Sequence, residues 1–511
     1  MVAKIILLVI FFSVMIGVGV YSRKSATDVN GFVLGGRSVG PWLTAFAYGT
    51  SYFSAVVFVG YAGQFGYKYG LSATWIGLGN AVIGSLLAWV ILGRRTRVMS
   101  KHLKSATMPD FFGKRYHSKA IQIAAALIAF IFLIPYTASV YNGLSRLFGM
   151  AFDVPYSACV IAMAVLTGVY VIIGGYMATA INDFIQGIIM LIGIVAVIVA
   201  VLNGNGGFYQ AFIDLSKMES DCAVTEGLQG AFVSFFGPDP INLFGVVVLT
   251  SLGTWGLPQM VQKFYAIKDE KAIRTGTIIS TFFAIVVAGG SYFLGGFGRL
   301  TDVNEITVDG KIVYDAIIPT MLSKLPDILI GVVVVLVLSA SMSTLSSLVL
   351  TSSSTLTLDL IKPLTKKKMS DKKQLFIMRI FIVVFIVISV VIAMDPPTFI
   401  AQLMGISWGA LAGAFLAPLL YGLYWKGVTR IGVWAGFVSG VGITVANMFT
   451  KWTSPINAGA IAMVAGLVIV PLVSLITPKL DKGEIDFSFT CYDKKKVIEE
   501  KIALPDDVVQ E

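Results

Sequence analysis

Apolar residues in this chain come in long blocks rather than in the narrow stripe of a surface helix. Residues 41–67, 69–93, 120–145, 154–182, 184–213, 241–262, 275–298, 328–358, 380–394, 396–425, 431–450 and 452–478 contain no Asp, Glu, Lys or Arg. A helix needs about 20 mostly apolar residues to cross a bilayer. The blocks predict thirteen spans, at 3–21, 41–67, 70–93, 120–147, 154–176, 181–204, 240–263, 273–298, 328–360, 375–394, 397–424, 430–449 and 457–477. They are called spans 1 to 13 below. The fold class is an all-α polytopic membrane protein. The first block is not read as a cleaved signal, because it lacks a small-residue cleavage pattern and its positive charges, Arg23 and Lys24, come after it.

Composition agrees. Of 511 residues 56% are hydrophobic and 13% charged, with a mean hydropathy of +0.84, whereas soluble domains carry about 25% charged residues. The net charge of +10 invites a nucleic-acid reading, but the positives sit in short loops. Residues 94–119 hold eight Lys/Arg against one acid, and 362–373 hold six Lys against one Asp. The alternate loops are acidic: 205–240 has five acids and one Lys, and 300–327 has five acids and two Lys. The positive-inside rule then puts the N-terminus outside and the C-terminus, with its polar tail from 480 onward, in the cytoplasm of a cell bounded by a plasma (inner) membrane. Cys159, Cys222 and Cys491 are scattered and imply no disulfide or metal framework. His102 and His117 share one basic loop, and no paired carboxylates or nucleophile with its base stand out, so an enzyme is disfavoured.

Two spans look interrupted. Span 2 contains AYGTSYFSA (47–55) and span 7 contains TSLGTWGLPQ (250–259). Gly and Pro weaken a helix and can free backbone carbonyls, which hydrocarbon tolerates only where they face protein, an ion or a water cavity. Packing through small residues is the plainer account of one such span. Two of them, five apart in order, point to an inverted repeat with a midplane site. Span 9 carries SASMSTLSS at 339–347, and Ala340, Ser343, Thr344 and Ser347 share one helical face. Hydroxyls on that face, joined by carbonyls of an unwound neighbour, suit a hard cation such as Na⁺. The competing reading is that they bond back to the preceding turn or join helices.

The stretches FVLGGRSVGPW (32–42), GGYMATAINDFIQG (174–187), GLPQMVQKFYAIKD (256–269) and SMSTLSS (341–347) resemble the sodium/solute symporter family, which includes bacterial proline, pantothenate, sialic acid and sugar symporters. The resemblance runs from about residue 5 to 478 and implies a leucine-transporter-like 5+5 inverted repeat, spans 2–6 and 7–11. The implied division is 1–40 (first helix and cytoplasmic loop), 41–204 (first repeat), 205–239 (extracellular loop), 240–424 (second repeat), 425–479 (two peripheral helices) and 480–511 (cytoplasmic tail). It also implies a Na⁺ site made of the carbonyls of Thr50, Phe53 and Ala340 and the hydroxyls of Ser343 and Thr344. Asp183 matches an acidic position used for sodium coupling or exit; a helix N-cap is its competing role. For the solute, Ser51, Tyr52, Ser54, Thr250, Thr254 and Trp255 are the implied contacts.

Tyr52, Thr250 and Thr254 depart from the proline carriers' pattern and argue against proline itself. INDFIQGIIMLIG and GLPQMVQKFYAIKD look nearer to the pantothenate branch, which suggests a small organic acid. The function implied is Na⁺-coupled import of a small organic solute by alternating access, in contact with membrane lipid and not with nucleic acid. The number of ions per cycle and the oligomeric state are left open. Rival readings are a proton-coupled symporter of the same fold, a passive channel, or a nutrient sensor on a transporter scaffold.

Overall fold

The computed structural model describes residues 2–152, 155–365 and 369–492. Part of the 362–373 lysine run and most of the polar tail lie outside the described residues. Ten of the described helices are long and apolar enough to cross a membrane, and a bent pair makes an eleventh. Two of the ten, Val56–His102 and Tyr156–Gly204, have 47 and 49 residues. At 1.5 Å per residue each would reach about 70 Å if straight, over twice the hydrocarbon thickness. Neither is straight. Gly70 has φ 61° and ψ −142°, and Gly175 has φ 53° and ψ −148°. Before Gly70 the chain passes Phe283 at Gly49 and Gly295 at Gly66; after it, it passes Gly289 at Gly77 and Ile273 at Gly93. Spans 2 and 3 therefore run along span 8 in opposite directions, and Gly70 is the turn between them.

The two interrupted spans break where the sequence is weakest. Helix Pro41–Tyr52 ends at Phe53, which is extended (φ −89°, ψ 111°), and the chain resumes as a π-helical turn, Val56–Tyr61, and helix Ala62–Tyr69. Span 7 divides into Pro240–Gly256 and Pro258–Ala266, bent by 46° about an extended Leu257. Pro258 stands in the first turn of the second piece, where its missing N–H costs nothing. The start of span 2 and the end of span 7 are tied together: Val39 N–H donates to Ala266 O (3.2 Å) and Lys268 N–H to Val39 O (3.0 Å). The GGRS motif forms the preceding turn, with Gly35, Gly36 and Arg37 all at positive φ. It aims the Arg37 guanidinium at Ser100 Oγ and Tyr265 O, both 3.3 Å away.

Span 9, helix Asp327–Thr355, is central: 78% of its most apolar window is buried against 22% for span 1. The all-α expectation needs one small amendment, a two-residue hairpin pairing Thr307–Val308 with Lys311–Ile312 in the acidic loop before span 9. The first residues of the tail also do more than their polarity announced. Helix Lys482–Phe489 docks on the basic loops, with Asp486 2.7 Å from Lys426 Nζ, and Tyr492 Oη donates to Arg95 O (3.0 Å).

Candidate cation site

Where helix Pro41–Tyr52 stops, its last carbonyls lose their partners four residues on and turn toward span 9. Ser343 Oγ lies 3.0 Å from Thr50 O and 3.0 Å from Ala340 O. Thr344 Oγ1 lies 3.2 Å from Thr50 O, 3.5 Å from Phe53 O and 3.2 Å from Ala340 O. All five residues are buried, at 1% exposure or less. Five oxygens thus converge with only two protons among them, one on each hydroxyl. Ala340 O already takes the Thr344 N–H inside helix Asp327–Thr355, so the carbonyls freed by the break are those of Thr50 and Phe53, and the two hydroxyls that face them are shared with Ala340 O. A cation could be met by all five oxygens at once. Oxygens about 2.4 Å from a hard cation would sit about 3.4 Å apart at octahedral corners, close to the separations seen. The set carries no formal charge, which favours a monovalent ion over a divalent one. The back-bonding reading is also present, since both hydroxyls reach Ala340 O. It accounts for that carbonyl and leaves Thr50 and Phe53 short of donors.

Asp183 is fully buried inside helix Tyr156–Gly204, eight residues past the Gly175 turn, so it is not a helix cap. Its partner is Lys263, 3.8 Å away and 2% exposed. Lys263 Nζ donates to Ser347 Oγ at 3.0 Å, and Ser347 Oγ is 2.9 Å from Ser51 Oγ.

The six residues marked for the solute are not gathered on one lining. Ser51 turns to Ser347 and to its own helix. Ser54 Oγ accepts from Val56 N, and Thr250 bonds back to Val246 O at 2.9 Å. Thr254 Oγ1 donates to Gly84 O and Trp255 Nε1 to Ile83 O, both at 2.9 Å. The side chain of Tyr52 lies outside the described residues. The acceptors at Ile83 and Gly84 belong to a π-helical stretch of span 3, Asn80–Leu87, where the wider turn loosens the usual ladder. Sequence reading missed Lys263 as a partner and Gln259 as a candidate. Gln259 follows Pro258 at the span-7 break, is fully buried, and neither amide atom has a hydrogen-bond partner among the described residues. Its signal was a bare amide in a break.

The model of the sodium:solute symporter family matches residues 32–440. The chain belongs to this family. It is therefore a Na⁺-coupled symporter of a small solute, working by alternating access, rather than an enzyme. Sodium/proline symporters of Staphylococcus aureus, among them those of strains JH9 and NCTC 8325, are 31% identical to it over 520 aligned positions, covering 97% of this chain and 96% of theirs. In fold it is similar to a Na⁺-coupled sialic acid symporter in a substrate-bound outward-open state, with a TM-score of 0.75 at 16% identity over 94% of this chain and 99% of that one. A nucleobase-cation-symport-1 family transporter in a closed conformation superposes with a TM-score of 0.51 at 13% identity, over 89% and 97%. The fold is the leucine-transporter-like one.

Proposed function

We propose that Na⁺ binds at Thr50 O, Phe53 O, Ala340 O, Ser343 Oγ and Thr344 Oγ1 and couples to the solute through the broken span 2. The observation that carries this is the convergence of five buried oxygens with two protons between them. Bound Na⁺ ties the span-2 break to span 9 and favours the outward-open state; its loss to the cytoplasm releases the tie and opens the inner path. One charge moved across 100 mV is worth roughly 2.3 kcal/mol and a tenfold Na⁺ gradient roughly 1.4 kcal/mol. Together they sustain a several-hundred-fold solute gradient at one Na⁺ per solute.

The solute lies between the breaks of spans 2 and 7, with Gln259 added to the contacts already marked (Ser51, Tyr52, Ser54, Thr250, Thr254 and Trp255). Its chemistry is that of a small amino-acid-like or organic carboxylate. The sodium/proline relatives support the first form and the pantothenate-like motifs the second. Splitting Val56–His102 at Gly70 and Tyr156–Gly204 at Gly175 supports the count of thirteen spans, with 41–204 and 240–424 as the two repeats. The N-terminus is outside, the C-terminus cytoplasmic, and the membrane is the plasma membrane.

The test is uptake into proteoliposomes of a panel that includes proline, pantothenate, sialic acid and glucose, each with and without an inward Na⁺ gradient. Accumulation of one carboxylate only with Na⁺ is expected. Uphill uptake driven by a pH gradient alone, or flux that never saturates, would refute the sodium cage as the coupling site.

A further inference from the structure

The loop between spans 3 and 4 belongs to two different parts of the molecule. Its first helix, Arg94–His102, prolongs span 3 and is tied to the end of span 7, where Arg97 Nε donates to Ile267 O. Span 3 itself packs on span 8, Gly77 against Gly289 and Gly93 against Ile273. The second helix, Met108–Arg115, is tied to span 11: Arg115 Nε donates to Gly422 O (2.9 Å), and Tyr116 Oη to Pro418 O. Span 11 packs in turn on spans 12 and 13, Gly413 against Gly440 and Gly409 against Gly459. The turn at 103–107 is where the two parts meet.

The start of the tail lies across that meeting place. Helix Lys482–Phe489 and the turn through Tyr492 touch both parts. On the span-3 side, His102 Nε2 lies 2.9 Å from Phe487 O, and Tyr492 Oη donates to Arg95 O at 3.0 Å. On the span-11 side, Asp486 Oδ1 lies 2.7 Å from Lys426 Nζ, and Glu484 meets Arg430 at 3.4 Å and His117 at 3.5 Å. The Arg95 guanidinium is held between two rings, Tyr424 of span 11 at 4.1 Å and Tyr492 of the tail at 4.5 Å. Ser488 and Cys491 are buried, at 3% exposure or less, so the tail is packed down on the loops. Exposed ion pairs contribute little one by one. These contacts act together, because parting the inner ends of spans 3 and 11 breaks them all at once. An interaction made in only one of two conformations shifts the equilibrium toward that conformation.

We infer that residues 481–492 are an inner strap: docked as here, they hold the inner ends of spans 3 and 11 together and restrain the inward-open state. The tail is then a brake on the transport cycle. Its link to Na⁺ rests on the reading that bound Na⁺ favours the outward-open state; strap and ion then favour the same arrangement, and loosening one weakens the other.

Hydrogen exchange of the purified full-length protein, in K⁺ without Na⁺, reads the strap by itself. Asp486→Lys and Tyr492→Ala are each expected to speed exchange in 91–102 and 420–425 by about fivefold or more. Lys426→Asp/Asp486→Lys, which restores the ion pair in reverse, is expected to return it to the wild-type rate. Radiosodium binding reads the coupling: the two single variants are expected to need about threefold to tenfold more Na⁺ for half-saturation, and the charge swap the wild-type amount. Should Asp486→Lys fail to fold, Tyr492→Ala carries both measurements. Wild-type exchange in the folded single variants overturns the inference. Faster exchange with unchanged Na⁺ affinity, where Thr344→Ala abolishes that affinity, overturns the brake and leaves the cage standing. If Thr344→Ala keeps wild-type Na⁺ affinity, the cage reading fails, and exchange in 91–102 and 420–425 still decides the strap.

Discussion

Ser343 and Thr344 each bring one hydroxyl to the place where the broken span 2 turns the Thr50 and Phe53 carbonyls toward span 9, and the proposed ion seat is that oxygen cluster. It was legible in advance because it depends on two local features, the 340/343/344 spacing and a glycine- and hydroxyl-rich break in span 2. Lys263 was not legible as a partner. A lysine near the end of an apolar block reads as a loop charge, and only the passage of spans 6 and 9 beside it shows that it is sealed in. Asp183 misled in the opposite way: it is the first charge of a long block, which resembles a cap, yet the helix starts earlier, at the Gly175 turn. Gln259 gives a residue-scale expectation. Gln259→Leu removes a buried amide worth about 1.4 kcal/mol to a hydrogen-bonded solute, which is about tenfold. Solute KM in the uptake assay is expected to rise about tenfold while half-saturating Na⁺ changes less than twofold. An unchanged KM would remove Gln259 from the solute contacts.

At the scale of elements, the breaks in spans 2 and 7 were readable from Gly, Pro and hydroxyl clusters. The π-helical stretches of span 3 were not, because their register is set by the neighbours that take up Ile83 and Gly84 carbonyls. Gly175 carries a turn only glycine makes cheaply. A Cβ there would lie 2.8 Å from the Phe32 ring and 2.9 Å from Phe32 O, and its φ and ψ fall where other residues pay about 1–3 kcal/mol. Gly175→Ala is expected to lower the melting temperature of the purified protein by several degrees. Gly17→Ala, where a Cβ meets nothing within 4 Å, should leave it unchanged; equal melting of the two would show that the turn bears no strain.

The loop before span 9 has its own titration. Asp315 is 1% exposed, 3.9 Å from Arg146, and accepts from Ile400 N–H at 3.3 Å at the start of span 11. Burial outweighs the pull of Arg146 and of that hydrogen bond, and the carboxyl is pushed up to about 6 from its ordinary 3.8. The folded state holds this proton more tightly than the unfolded one. Its stabilising contribution is complete below about pH 4 and is lost as pH rises through 6. The wild-type melting temperature is expected to fall between pH 5 and pH 7 relative to that of Asp315→Asn, which cannot titrate. Parallel curves for the two proteins would contradict this.

For the whole molecule, the apolar blocks pointed to a multi-pass membrane protein, which the ten long apolar helices bear out, and the loop charges carry the proposed sidedness. Asp221, Cys222, Asp239 and Thr453 line one cavity of about 440 Å³ with Lys68 and Arg299, so the acidic loop 205–239 and the turn after span 12 share a face. With that face outside, a membrane-impermeant thiol reagent on intact cells is expected to label the partly exposed Cys222 and to spare the buried Cys491. Labelling of Cys222 only after permeabilisation would reverse the orientation. What the sequence could not supply at this scale is the gathering of the solute contacts, because Ser51, Thr254 and Trp255 each have partners on different helices.

The cage is tested most directly by radiosodium affinity of the purified wild type, of Thr344→Ser, and of the double variant Ser343→Ala/Thr344→Ala. Each lost oxygen to a charged ion is worth roughly 1.5–3 kcal/mol, so the double variant is expected to lose at least a hundredfold in Na⁺ affinity. Thr344→Ser, which keeps the hydroxyl, should stay within about threefold of wild type at that same energy scale. Wild-type Na⁺ affinity in a folded double variant would contradict the site outright.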